Sequence, residues 1–165
     1  MLSYILAVIS AVLLLGTDQL TKYLVSAEFT LGERREFLNG FIDLTYIHNR
    51  GGAWGLLYGK TYILIPITVI VMAVCIILYE KYGKKNKLLF WAIMLVLSGG
   101  IGNMIDRVFR DGNVIDFLHF EFFPSFPVFN VADCAIVVGA GLLILYFLVD
   151  SVKESKRKSA EKADE

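Results

Sequence analysis

Four apolar stretches, each long enough to cross a bilayer, constrain this chain more than any other feature. The hydrocarbon core of a membrane takes about 20 apolar residues of helix. Residues 2–25, 62–79, 88–105 and 131–149 approach that length. In 165 residues these four spans leave room for one domain, predicted as 1–150. Composition agrees: 56% of residues are hydrophobic, 19% are charged, and mean hydropathy is +0.62. A soluble domain carries fewer apolar and more charged residues, so the surplus is expected to face lipid. The first stretch lacks the basic leader of a secretory signal and is followed by three more spans, so it is predicted as a retained helix.

Charge sets the expected orientation. The link between the second and third spans carries Lys81, Lys84, Lys85 and Lys87, and the tail carries Lys153, Lys156, Arg157, Lys158 and Lys162. The positive-inside rule places both in the cytoplasm. An even number of spans puts the N-terminus there too. The tail, 151–165, alternates Lys and Glu and is predicted as a solvated, disordered end. The two long connections, 26–61 and 107–130, then lie outside. Residues 37–47 and 114–129 are rich in aromatic and β-branched side chains and suit short strands or interfacial segments. Residues 26–37 mix charge with apolar residues and are predicted as a short interfacial helix.

The polar residues inside the spans gather at one depth. Asp18 lies about 24 Å along the first helix at 1.5 Å per residue, near its outer end. Asn103, Asp106 and Arg107 close the outward-running third span, and Asn130 and Asp133 open the inward-running fourth. Ionisable groups in a span are costly and mark function by default. Spacing is helical in each cluster: Asp18 and Lys22 are i,i+4, Asn103 lies i,i+3 from Asp106, and Asn130 lies i,i+3 from Asp133. Gly99, Gly100 and Gly102 permit close helix approach.

Plainer readings exist for each cluster. Asn130 with Asp133 resembles a capping box at a helix start. Asp18 with Lys22 reads as a structural ion pair, and Asp106 with Arg107 as an interfacial charge pair. Asp116, in Val114-Ile-Asp-Phe-Leu118, is a carboxylate between bulky apolar residues and is not ordinary loop chemistry. His48 and His119 are separated and lack ligand spacing, so neither metal nor cofactor is expected. Cys75 and Cys134 form no disulfide framework. No long basic stretch with interleaved aromatics points to nucleic acid.

Two carboxylates at the membrane boundary, without a Ser–Lys or Cys–His pair, suggest paired-acid hydrolysis. Facing carboxylates cannot both ionise near neutral pH. The charged one then activates water, and the protonated one polarises a carbonyl and donates to the leaving amine. A separation of 17 residues between Asp116 and Asp133 does not by itself bring them together. A small transporter or ion-pathway protein using Asp18, Asp106 and Asp133 is the alternative, and an inactive structural membrane subunit a third reading. Against transport, the acids gather at one surface, and the second span has no ionisable residue in its interior.

The motifs add a resemblance. Gly99-Gly-Ile-Gly-Asn-Met-Ile-Asp-Arg107, Gly112-Asn-Val-Ile-Asp-Phe117 and Phe129-Asn-Val-Ala-Asp133 resemble the signature of bacterial lipoprotein signal peptidases (signal peptidase II). Asp18-Gln-Leu-Thr-Lys22 and His48-Asn-Arg-Gly51 are similar to further motifs of that family, in the same order. The resemblance implies an intramembrane aspartic endopeptidase that removes the signal peptide of a prolipoprotein before a diacylglyceryl-modified cysteine. It implies Asp116 and Asp133 as the catalytic dyad. Asn49, Gly51, Asn103, Arg107 and Asn130 would position substrate or support the dyad, and Asp18 with Lys22 would hold the site together. The implied fold is an all-α membrane protein with four transmembrane helices, a small extracytoplasmic β-cradle and an interfacial helix. The implied setting is a monomer in the bacterial cell membrane, open to globomycin-type inhibitors, with membrane lipid around it and its site near the extracytoplasmic surface. The chain departs from the family pattern in two places. The stretch between Arg107 and Asp116 is about one residue longer, and Gly51-Gly-Ala-Trp54 carries Gly and Trp where Ala and Phe are usual.

Overall fold

A computed structural model describes residues 1–52, 57 and 59–163. Four long helices form: α1 (Leu2–Glu28), α2 (Thr61–Lys81), α3 (Lys87–Phe109) and α4 (Val131–Ala163). All four are long and apolar enough to span a membrane. They coincide with the predicted spans and extend past them. The three strands β1 (Arg34–Leu38), β2 (Ile42–Asn49) and β3 (Val114–Phe120) make one antiparallel sheet in the order β1-β2-β3. The Gly51-Gly-Ala-Trp54 departure falls partly on Ala53 and Trp54, which lie outside the described residues.

α3 is the centre of the bundle and packs against α1, α2 and α4. Its start is set by Asn86, whose side chain accepts the Leu89 N–H at 3.0 Å, an N-cap that satisfies one orphan donor of the first turn. α1 meets α3 along one stripe of buried residues, Ala7, Ala11, Asp18, Lys22 and Val25. These positions fall on one helical face. The stripe is small and apolar at one end and charged at the other. A buried apolar cluster of Cys75, Leu89, Ile93, Val96 and Tyr146 fills the bundle at the end away from the sheet. Cys75 and Cys134 are both free thiols. Most large hydrophobic side chains on the outside of α1, α2 and α4 are exposed, as lipid-facing surfaces must be.

Close approach of α3 and α4 depends on glycine. A Cβ on Gly99 would stand 2.3 Å from the Ala132 carbonyl oxygen, and one on Gly139 2.9 Å from that of Ala92. Side chains at either place would separate the helices.

The sheet caps the other end. β1 and β2 form a hairpin turning at Asn39-Gly40, with Gly40 at φ 75°, the dipeptide that such turns favour. β2 pairs with β3 so that Ile47 faces Asp116 and Leu44 faces Leu118. Thr45 and Tyr46 therefore oppose Phe117 alone, a bulge that bends the strand. β3 is buried on both faces over 114–117. Ile115 and Phe117 pack with Val25 and Tyr46, and strand alternation turns Asp116 to the opposite face. This accounts for a carboxylate set between bulky apolar neighbours.

The interfacial helix expected over 26–37 does not form. α1 runs on to Glu28, a turn closes from Glu33 N–H to the Thr30 carbonyl with Gly32 at φ 88°, and β1 begins at Arg34. Backbone pairing with β2 outweighs the local helical tendency, and the exposed Arg-Arg-Glu run of β1 is suited to an edge strand. The tail also differs from the disordered end expected of it. α4 continues as helix through Ala163, supported by i,i+4 pairs Glu154–Lys158 at 2.7 Å and Arg157–Glu161 at 3.6 Å.

Candidate active site

The site lies where the sheet meets the ends of α1, α3 and α4. α3 ends at Phe109, and a turn with Asp111 (φ 51°) and Gly112 (φ 81°) reverses the chain into β3. The turn absorbs the length of the segment between Arg107 and Asp116 and delivers Asp116 opposite Ile47. A Cβ at residue 112 would also press on Thr61, 2.9 Å from its Oγ1.

Asp133 stands in the first turn of α4. Its backbone N–H donates to Asn130 Oδ1 at 2.9 Å, while the Asn130 N–H donates to Asp133 Oδ2 at 3.2 Å. This is the reciprocal capping box that the spacing suggested. The cap is also part of the polar centre, because the Asn130 amide turns to Asp116. Asn130 Nδ2 donates to Asp116 Oδ1 at 2.6 Å, to the Ile115 carbonyl at 3.2 Å and to Asn103 Oδ1 at 3.1 Å. Asn103 Nδ2 in turn donates to Asp133 Oδ1 at 2.8 Å. Asn49, at the end of β2, donates from Nδ2 to Asp116 Oδ2 at 2.8 Å. All four oxygens of Asp116 and Asp133 thus accept a hydrogen bond. The two residues, 17 apart in sequence, are joined through Asn103 and Asn130.

Asp116 is fully buried. Burial and then the charge of Asp133 push its carboxyl from 3.8 up to about 7, against the hydrogen bonds from Asn49 and Asn130 and the charge of Lys22. Desolvation and a like charge both favour the protonated acid. Asp116 therefore holds its proton to far higher pH than a free carboxyl, and its titration is coupled to that of Asp133.

The remaining residues named from sequence fall around this centre. Lys22 is fully buried and makes ion pairs to Asp18 at 2.9 Å and Asp106 at 3.0 Å. Removing one member of such a buried set costs about 3–5 kcal/mol, because the other charge is left uncompensated. Arg107 donates from Nη1 to the Asn103 carbonyl at 3.3 Å and is within electrostatic range of Asp133 and Asp116. Gly51 lies two residues past the end of β2. Its N–H donates to Asn49 Oδ1 at 2.9 Å and so fixes the amide that reaches Asp116.

Two residues of the centre were not named as site residues from sequence. Asp106, read with Arg107 as an interfacial charge pair, turns inward to Lys22 and Arg110. Its i,i+3 spacing from Asn103 was the available signal. Gln19 donates from Nε2 to Asp18 at 3.1 Å, to the Gly102 carbonyl at 3.1 Å and to Asp106 at 3.3 Å. Gln19 belongs to the Asp18-Gln-Leu-Thr-Lys22 motif, but helical spacing sets it about 100° from Asp18 and does not by itself turn it inward.

Beside Asp133 an apolar groove of about 270 Å³ is walled by Phe120, Phe126 and Phe129 on one side and by Cys134, Val137 and Val138 of α4 on the other. It runs from the carboxylate along the exposed flank of α4.

Four helices able to span a membrane, enclosing a carboxylate pair at one end with an apolar groove beside it, define a multi-pass membrane protein. A family model described as signal peptidase (SPase) II matches residues 10–149. Curated relatives include the lipoprotein signal peptidase of Enterococcus faecalis, 46% identical over 146 residues, spanning 87% of this chain and 89% of the relative. That of Bacillus pumilus is 42% identical and spans 88% of this chain and 94% of its own. Among solved structures, a bacterial membrane enzyme determined in meso at 2.3 Å resolution superposes with a TM-score of 0.83 at 34% identity, covering 88% of each chain. The chain belongs to the signal peptidase II family and is a membrane-embedded peptidase.

Proposed function

We propose that Asp116 and Asp133 form the catalytic dyad with which this signal peptidase, as an aspartic endopeptidase, removes signal peptides from prolipoproteins before a diacylglyceryl-modified cysteine. What supports the reading is the paired, fully hydrogen-bonded carboxylates, with Asp116 held near pH 7 by burial and by Asp133. The ionised member takes a proton from water as its oxygen attacks the scissile carbonyl. The protonated member donates to that carbonyl oxygen, and the tetrahedral intermediate collapses as the leaving amine is protonated. The four-oxygen hydrogen-bond set fixes both carboxyl planes before substrate arrives.

Asn49, Gly51, Asn103, Arg107 and Asn130 position the substrate backbone or hold the dyad, and Asp18 with Lys22 supports them. The groove along α4 suits the apolar portion of a substrate arriving within the bilayer. In this reading the protein acts as a monomer, both termini are cytoplasmic, and the site is near the extracytoplasmic surface. The lysines between α2 and α3 and those of the tail favour that orientation. Globomycin-type inhibitors occupy the dyad. The transporter alternative is disfavoured, since the buried ionisable residues of α1 and α3 lie at the sheet end of the bundle.

The test is cleavage of a diacylglyceryl-modified prolipoprotein by the reconstituted protein and by Asp116→Asn and Asp133→Asn. Each substitution is expected to lower kcat by about 10³-fold or more with the melting temperature retained. Near-normal turnover in either variant would remove that carboxylate from the chemistry.

A further inference from the structure

Asp18 and Asp106, both buried and both paired with Lys22, play matching parts, one for each member of the dyad. Asp18 Oδ1 accepts the backbone N–H of Ala132 at 2.9 Å. Asp106 Oδ2 accepts the backbone N–H of Ile115 at 3.0 Å. Ala132 immediately precedes Asp133, and Ile115 immediately precedes Asp116. Each supporting carboxylate thus holds the backbone N–H of the residue just before one member of the pair. The same ammonium joins them. Lys22 Nζ lies 2.9 Å from Asp18 Oδ2 and 3.0 Å from Asp106 Oδ2, and it donates to Asn103 Oδ1 at 3.1 Å. Three acceptors match the three donors of an ammonium, so its geometry is fully used.

We infer that Lys22, with Asp18 and Asp106, is a spacer that sets the separation of Asp116 and Asp133 by clamping the two backbone segments that carry them. All three are positioning residues that act through Ala132 and Ile115. The clamp joins three helices to the sheet: α1 supplies Lys22 and Asp18, α3 supplies Asp106, α4 carries Asp133 and β3 carries Asp116. Gly102 makes room for it, because a Cβ there would stand 2.7 Å from Asp18 Oδ2. Gln19 bridges the two carboxylates from the side. On the far side of the Ile115 peptide, Asn130 holds the carbonyl. Both polar groups of Ile115 are therefore tied, which leaves Asp116 little freedom to drift from Asp133.

The inference rests on the aspartic reading of the dyad and makes a separate prediction. Electrostatic coupling splits the two apparent titrations of a carboxylate pair, and the splitting falls with distance. For carboxylates about 4 Å apart at an effective dielectric of about 20, each added ångström narrows the split by about half a pH unit. Charged and titratable groups near the pair are Lys22 and Asp18 from α1, Arg107 from α3 and the Cys134 thiol of α4, while Asp106 pairs with Lys22 and Arg110. Removing a charge moves both limbs of the pH–rate profile in one direction. Loosening the spacer brings the limbs together. The two effects are separable.

The experiment is the pH dependence of kcat/KM on a diacylglyceryl-modified prolipoprotein for the wild type, Asp106→Asn, Lys22→Met and Gly102→Ala. Asp106→Asn removes a negative charge and is expected to move both limbs down; Lys22→Met removes a positive charge and is expected to move both up. Gly102→Ala displaces Asp18 without a charge change and is expected to leave the midpoint alone. All three are expected to narrow the profile by about half a unit or more and to lower kcat at least tenfold, with KM within about twofold. Limbs that shift without narrowing would reduce the cluster to an electrostatic role and overturn the spacer. A lowered melting temperature with an unchanged profile would make it purely structural and overturn it equally. Gly102→Ala keeps every charge, so it preserves the test if the charge variants do not fold. Asp116→Asn, run in parallel, separates failure of the spacer from failure of the dyad: retained cleavage there overturns the dyad itself.

Discussion

α2 and α3 are neighbours of similar length, 21 and 23 residues, and both are apolar enough to cross a membrane. Yet 56% of the spanning part of α3 is buried against protein and only 6% of that in α2. α3 is the one interrupted by Ser98, three glycines, Asn103, Asp106 and Arg107. α2 has no Asp, Glu, Lys, Arg or His between Thr61 and Tyr79. In water a higher apolar content goes with burial. In a bilayer the relation reverses, because lipid accepts apolar side chains as readily as a protein core does. The more polar helix is the buried one, since its polar groups find partners only inside the bundle.

The same substitution in the two helices gives the widest contrast. Ile93→Ala, in the buried apolar cluster, is expected to cost about 2–5 kcal/mol, read as loss of melting temperature in detergent or bicelles. Ile70→Ala, on the exposed face of α2, anchors the other end of the scale. It is expected to cost less than about 0.5 kcal/mol. Equal losses would break the comparison.

A pH effect of the next size belongs to the polar end beside α3. The carboxyl of Asp116 is raised from 3.8 to about 7, so the folded state binds a proton that the unfolded state has released between those values. Its contribution to stability is complete below about pH 4 and is lost as pH rises through 7. The protein is expected to be less stable at pH 8 than at pH 5 by on the order of 2–4 kcal/mol. Asp116→Asn is expected to flatten that dependence; an unchanged slope in the variant would assign it to another group.

Two adjacent glycines sharpen the contrast within α3 itself. Gly99 faces α4, where a methyl would meet the Ala132 carbonyl oxygen at 2.3 Å; Gly100 faces Thr68 and Met72 of α2, both 3.8 Å away. Gly99→Ala is expected to cost about 1–3 kcal/mol and to impair cleavage by moving the residue before Asp133. Gly100→Ala is expected to be neutral or to stabilise by up to about 1 kcal/mol through helix propensity. Melting curves and single-turnover cleavage of both variants check the pair, and reversal of their order would mean the helix packing is misassigned.

Much of the fold was legible in the sequence because the bilayer dictates it. A span must be apolar, helical and about 20 residues long, so four runs of composition locate four helices without knowledge of their neighbours. Asp18 with Lys22 and Asn130 with Asp133 were legible too, since helical spacing alone brings each pair together. Other features depended on contacts between distant segments. The 26–37 segment has local helical character, but β2 offers its backbone a strand partner, and the strand prevails. The charged tail continues as helix because its i,i+4 ion pairs extend α4 past the membrane span.

Spacing also left open whether Asn130–Asp133 is a cap or part of the polar cluster around Asp116. The structure makes it both: the capping oxygen and the amide belong to one side chain, with the oxygen on the Asp133 N–H and the amide on Asp116. Asp106 shows the limit most directly. From sequence it is one acid next to one base, and only the tertiary structure turns Arg107 toward Asp116 and Asp133 while burying Asp106 on Lys22. By itself the sequence determined which residues must leave water and which local pairs can form. The meeting of Asp116 and Asp133 was decided only when α1, α3, α4 and the sheet packed, because a buried charge is stable only where several segments supply its partners together.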